Sequence, residues 1–87
     1  MKLGWSVSQK EGLQYFFVYR QTPQGWVYVA QRDAFPYDPQ KTHWRFIDKG
    51  LECGKSYTYL VRAQGIIGGE TYLEDYRIDN TFLPCGN

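Results

Sequence analysis

The sequence predicts an all-β protein, an antiparallel β-sandwich of about six strands. Aromatic residues make up 18% of the 87 residues, and aromatic side chains suit the half-buried surface of a sheet. Glycines and prolines divide the chain into segments of strand length, and no segment has the apolar period of a long amphipathic helix. A chain of this length builds one core, so we expect one domain over residues 1–83 and a C-terminal tail over 84–87.

Six segments have the length and residue types of strands, namely 2–6, 15–21, 26–31, 42–48, 56–64 and the region near 71–79. The second and third segments form a hairpin, because Pro23 and Gly25 of the intervening "TPQG" favour a tight turn. A loop is expected over 32–41, because the prolines there interrupt strand pairing. "GIIGGE", over 65–70, is expected to connect the last two strands.

The stretch "FIDKGLECGKSYTYLVRA", over 46–63, predicts a corner where the chain crosses between two sheets. Leu51 can fill the core there, and Gly50 and Gly54 allow the tight bends on either side of it. Tyr57 can place its ring in the interior and bond its hydroxyl to the backbone upstream, which is the tyrosine corner of β-sandwiches. Beyond the corner, alternation separates two faces, one with Tyr57, Tyr59, Val61 and Ala63 and the other with Thr58, Leu60, Arg62 and Gln64.

This part of the chain resembles the E strand, corner and F strand of a fibronectin type III domain, through the pattern Phe46-x-Asp48-x-Gly50-Leu51-x-x-Gly54-x-x-Tyr57-x-Tyr59-x-Val61-x-Ala63. Other segments resemble the remaining strands in the family's order: Leu3-x-Trp5 for B, "YFFVYRQ" for C, "GWVYVAQ" for C′ and "GGETYL" for the turn into G. The resemblance covers residues 2–82 and implies an immunoglobulin-like sandwich.

The resemblance also implies an open edge. The family usually carries a strand A ahead of the B-strand tryptophan, whereas only four residues precede Trp5 here. Strand B is therefore expected to leave backbone groups unpaired on one side, and such an edge invites the addition of a strand from another chain.

The two cysteines are expected at the same end of the sandwich. Cys53 precedes the fifth segment and Cys85 follows the sixth, and these segments are antiparallel neighbours, so the start of one lies beside the end of the other. A disulfide would stabilise a small domain and place it in an oxidising setting: outside the cell, on the cell surface or on a virus particle. Two free thiols in a reducing cell, and with them a cytoplasmic location, remain the alternative.

Several classes of chemistry find no support in the sequence. His43 is the one histidine, and a lone strand histidine more often faces solvent than acts as a base, so we expect no enzyme. The cysteines and His43 lack the spacing of a zinc site, so no metal or other cofactor is expected. Ten basic residues against nine acidic ones disfavour nucleic acid. No apolar run approaches the roughly 20 residues that membrane insertion needs.

One face of the predicted sheet carries an excess of aromatic residues. If Phe16 and Val18 face inward, then the side chains between and beside them face outward on the same strand; these are Tyr15, Phe17 and Tyr19. The neighbouring fifth segment presents Leu60 and Arg62 outward, and the third segment adds either Trp26 and Tyr28 or Val27 and Val29. Exposed apolar patches of this kind tend to mark partner sites. The alternative is that arginine and lysine stems, the 32–42 loop or a neighbouring domain covers these aromatic side chains.

These observations favour a non-catalytic module for protein–protein contact or for spacing domains. Its partner would be another protein or a second copy of the chain, through the aromatic face and the open B edge. By resemblance, such modules occur in extracellular, cell-surface and virus-particle proteins and beside secreted bacterial enzymes. The alternative is a carbohydrate-binding accessory module, because exposed tyrosine and tryptophan rings can stack on sugar faces.

Overall fold

A computed structural model describes residues 1–6, 12–34, 40 and 42–85 of the chain. These residues form six strands and no helix: β1 (Lys2–Ser6), β2 (Leu13–Thr22), β3 (Gly25–Asp33), β4 (His43–Ile47), β5 (Lys55–Ile67) and β6 (Glu70–Leu83). β1 pairs with β4 in one sheet, and the second sheet has the order β3-β2-β5-β6. All pairs are antiparallel, so the predicted all-β sandwich is confirmed. In the part of the chain described, no helix could cross a membrane.

The hydrophobic core lies between the two sheets. Phe16 is completely buried, as its inward position on β2 requires, and its ring centre lies 4.6 Å from that of Trp44 on β4 and 5.6 Å from that of Trp5 on β1. Burying a side chain of this size stabilises the fold by about 1.5–3 kcal/mol. The other buried apolar side chains come from both sheets and from the end of β3: Leu3, Leu13, Val18, Ala34, Phe46, Tyr59, Val61 and Ala63.

The smaller sheet lies over one half of the larger one. Arg32 at the end of β3 donates from Nε to the carbonyl of Arg45 on β4 at 2.8 Å, and Trp44 donates from Nε1 to the carbonyl of Asp33 at 3.3 Å. These bonds place β4 beside β3. β1 pairs with β4 alone among the described residues.

The strands at the far end of the larger sheet are longer than predicted. β5 continues to Ile67 and β6 begins at Glu70, so most of the predicted connection over 65–70 is strand. Only Gly68 and Gly69 form the turn, with φ of 59° and 82°, as a tight hairpin turn with two positive φ values requires. The predicted loop over 32–41 begins later than expected, because β3 includes Arg32 and Asp33; residues 35–39 and 41 lie outside the described part.

Gly65 is a strand residue with a packing role. A Cβ atom there would lie 2.4 Å from a ring carbon of Tyr72 on β6. The missing side chain lets the Tyr72 ring lie against the backbone of β5, which explains why a glycine inside a strand did not end it.

The tyrosine corner is present, but it is anchored differently from the prediction. The Tyr57 hydroxyl accepts from the amide of Glu52 at 2.9 Å and donates to the Glu52 carbonyl at 3.1 Å, which confirms the bond to upstream backbone. Gly50 and Gly54 have φ of 76° and 79°. The prediction that Leu51 fills the core is wrong: Leu51 is half-buried and lies outside the core cluster, because the loop between the glycines stays at the rim of the sandwich.

Asp48 is the buried residue of this region. Its Oδ2 accepts from Arg20 NH1 at 2.6 Å and from the Tyr59 hydroxyl at 2.7 Å, and only 7% of Asp48 is exposed. Its backbone carbonyl and amide bond to the amine and carbonyl of Met1. Burial, followed by the hydrogen bond to Asp48, raises the pKa of Tyr59, and the hydrogen bond to Asp48 raises the pKa of Arg20.

The two cysteines form a disulfide, as one of the two alternatives predicted. Cys53 in the corner bonds to Cys85 after β6, with the Cα atoms 4.7 Å apart. The amide of Gly54 also donates to the carbonyl of Leu83 at 2.7 Å. The end of the longest strand is therefore tied to the corner both covalently and through the backbone.

Replacing both cysteines, as C53S together with C85S, should lower the free energy of unfolding. The cysteines are 32 positions apart, and a closed loop of that length is worth up to about 3.7 kcal/mol through restriction of the unfolded chain. Urea titration of the double variant and the parent, both without reductant, measures the difference. Equal transition midpoints would show that the bond adds nothing to stability.

The fold should also lose stability in alkali because of Tyr59. Its pKa is raised in the folded state, so above about pH 10 the unfolded state ionises first and is favoured. Unfolding free energies at about pH 9 and about pH 11 should therefore differ more for the parent than for Y59F. The hydrogen bond to Glu74 raises the pKa of Tyr76 to about 12. Tyr76 is present in both proteins, so its effect on the unfolding free energy cancels in the comparison. An equally steep fall in Y59F would contradict the assignment.

Candidate binding face

Strand register brings the predicted site residues together on one face. Phe16 and Val18 are fully buried, so Tyr15, Phe17 and Tyr19 project from the other side of β2. Across the strands, Tyr19 lies opposite Tyr28 on β3 and Leu60 on β5. We call this outward surface of the four-stranded sheet the aromatic face; its members are Tyr15, Phe17, Tyr19, Trp26, Tyr28, Leu60, Arg62, Leu73, Asp75 and Arg77.

The register also decides which residues of β3 belong to the aromatic face. Trp26 lies opposite Gln21 and Tyr28 opposite Tyr19, so these two, and not Val27 and Val29, share the outward side. A β-bulge is the reason the sequence left this open: Val18 pairs with Ala30, whereas Tyr19 pairs with Tyr28, so the residue between them has no partner. The extra residue shifts the alternation along the rest of β3.

Two arginines lie against rings of the aromatic face. The Arg62 guanidinium carbon is 5.8 Å from the ring centre of Tyr19, and that of Arg77 is 5.8 Å from the ring centre of Trp26. Such cation–π contacts contribute about 0.5–1 kcal/mol each at exposed sites. Arginine stems thus cover part of the predicted stripe, and the rings they contact are held in place.

Arg62 is itself fixed by a carboxylate. Its Nε and NH2 donate to Oδ1 and Oδ2 of Asp75 on β6 at 2.8 and 3.1 Å. This bidentate pair raises the pKa of Arg62 and lowers the pKa of Asp75. The residues expected on this face from the sequence included neither Asp75 nor Arg77. Asp75 lies opposite Arg62 and Arg77 lies opposite Leu60. The alternation of side chains along β6 was therefore the signal that would have placed Asp75 and Arg77 on this face.

Solvent reaches the rings unevenly. The Tyr15 and Phe17 rings lie 6.1 Å apart and are half-buried, as is Tyr19. Tyr28 meets Tyr19 edge to face at 5.9 Å and is 54% exposed, and Trp26 is 41% exposed. The accessible part of the aromatic face is therefore the β3 side. There the rings of Trp26 and Tyr28 are exposed to solvent, beside the half-buried rings of β2.

A concave region separate from the aromatic face lies between β3 and β4. It is a cleft of about 550 Å³ lined by polar and cationic side chains and one indole: Arg32, Gln40, Thr42, His43, Trp44 and Arg45. The exposed His43 ring lies with Nδ1 2.9 Å from the Thr42 hydroxyl. Among the residues described, no cluster of histidine, cysteine or carboxylate side chains could hold a metal ion. The described lining of the cleft thus offers donors for polar contact.

No protein-family model, no curated protein and no solved structure matches the chain. Its function is therefore inferred from its own residues and their geometry.

Proposed function

We propose that the protein is a non-catalytic interaction module of the fibronectin type III kind, which binds another protein through the aromatic face. The strand order supports the family assignment: β3-β2-β5-β6 opposite β1-β4 is the arrangement expected if these strands correspond to C′, C, F and G opposite B and E. The hydroxyl bond of Tyr57 at the corner supports it further.

The observation that carries the binding role is a pre-arranged, partly exposed set of aromatic and arginine side chains. Solvated sheet faces usually carry polar residues, yet this one places Tyr28 and Trp26 in water. Tyrosine, tryptophan and arginine dominate the energetically important positions of protein interfaces. Because Arg62 and Arg77 already hold two rings, little side-chain freedom is lost on binding.

Ring geometry favours a protein partner over a sugar. Stacking on a sugar needs a flat, open ring face, whereas Tyr19 and Tyr28 meet at 68° and Arg77 lies against Trp26. An uneven surface of tilted rings and guanidinium groups suits interdigitating side chains of another protein. Carbohydrate binding remains the second candidate because Tyr28 is more than half exposed.

The unpaired edge of β1 is a second element of the proposal. The strand pairs on one side only in the described part of the chain, and its backbone there can accept a strand from a neighbouring domain or partner. The disulfide supports placement in an oxidising setting, outside the cell or on a cell or virus surface.

Tyr28→Ser should weaken partner binding without unfolding the protein. Tyr28 is 54% exposed, so its loss should change the free energy of unfolding by less than about 1 kcal/mol. Affinity for a captured extracellular partner should fall by at least about tenfold. Ile47→Ser is the matched control, because Ile47 is 53% exposed on the opposite sheet.

Calorimetry on the parent and both variants with that partner measures the affinities. Equal affinity for Y28S and the parent would contradict the aromatic face as the binding site. A titration with soluble polysaccharides, followed by tryptophan fluorescence, tests the second candidate. Quenching that W26F abolishes would replace the protein-binding proposal with carbohydrate binding.

A further inference from the structure

The longest strand of the protein stands at the edge of its larger sheet. β6 spans 14 residues and pairs with β5 on one side; no strand of the described residues lies on its other side. From Glu70 to Ile78 its pairing with β5 shows no register shift, so this stretch is regular. A long regular edge presents a row of backbone donors and acceptors to any strand of matching pattern.

The edge strands β1 and β3 offer shorter or less regular stretches of unpaired backbone. β1 has only 5 residues. β3 is interrupted by its bulge, and Arg32 at its end already bonds to the backbone of β4. β6 is therefore the edge on which a neighbouring strand could form the longest ladder.

We propose that this edge pairs antiparallel with β6 of a second copy of the chain, about a two-fold axis at Tyr76. In such a pair the residue at the axis faces its own copy, and flanking residues exchange partners. Axes at Glu74, Asp75 or Arg77 place like charges opposite each other, which is destabilising. An axis at Tyr76 places Asp75 opposite Arg77 of the second copy on each side, and two tyrosine rings face each other at the centre.

One carboxylate near the axis is already oriented on the outer face of β6. Asp75 is oriented by Arg62, and its side chain is 45% exposed, so a second guanidinium can approach the same carboxylate. Arg77 is exposed on the same face and lies over the Trp26 ring, so pairing with Asp75 of the second copy would exchange that contact for an ion pair. On the inner face, the Tyr76 hydroxyl donates to Glu74 Oε2 at 2.6 Å, which holds that carboxylate within its own chain.

The consequence is a larger binding surface. Joining the two β6 strands makes one continuous sheet from two four-stranded ones, with both aromatic faces on the same side. A partner with repeated sites would then be held by two faces at once, and its avidity would exceed the affinity of either. This consequence rests on the proposed function, whereas the pairing itself does not.

Charge reversal tests the register, with sedimentation velocity of the full chain over a range of concentrations. The parent should dimerise, and R77D and D75R should each raise the dimer dissociation constant by at least about tenfold, because each places like charges opposite each other. An equimolar mixture of the two variants should dimerise again, because the substituted strands then carry opposite charges at both positions.

A monomeric parent at all concentrations would overturn the proposal, and so would a mixture that associates no better than each variant alone. Because D75R also loses the contact with Arg62, hydrogen exchange of the parent gives a second test. Protection of the amides of 74–78 should rise with protein concentration, and unchanged protection would count against the pairing. Tyr28→Ser should dimerise like the parent, so failure of partner binding and failure of dimerisation are seen separately.

Discussion

The buried carboxylate of Asp48 is the contact on which the arrangement of the strands depends. It accepts from Arg20 on β2 and Tyr59 on β5, and its backbone is bonded to Met1 ahead of β1. A carboxylate is stable away from water only with such donors. Asp48, which follows β4, therefore links the smaller sheet to the neighbouring strands β2 and β5 of the larger sheet. This link lies where the chain enters the corner.

The same contact decides which side chains form the aromatic face. Arg20 must point inward to reach Asp48, and side chains alternate along a strand, so Tyr19 and the aromatic residues before it on β2 point outward. Tyr59 acts in the same way on β5: its inward hydroxyl leaves Leu60 on the outer side. The residues of the aromatic face therefore lie on the outer side of the same strands whose inward side chains bind Asp48.

Local patterns predicted the fold class, the faces of β2 and β5 and the Tyr57 hydroxyl bond, because each depends on spacing within one segment. The side of β3 that faces outward depends on the bulge at Val29, which exists only in the pairing of two strands. The core position expected for Leu51 failed for a related reason. Asp48 is buried because it accepts hydrogen bonds from Arg20 and Tyr59, which lie 28 and 11 positions away in the sequence. The residue pattern of the corner alone does not predict such distant partners.

Asp75 belongs to both proposed interfaces and links them. It holds Arg62 against the Tyr19 ring on the aromatic face, and in the proposed dimer it also receives Arg77 of the second copy. Both interfaces would therefore use the same carboxylate. Linkage requires any effect of partner binding on the free energy of dimerisation to equal the effect of dimerisation on the free energy of partner binding.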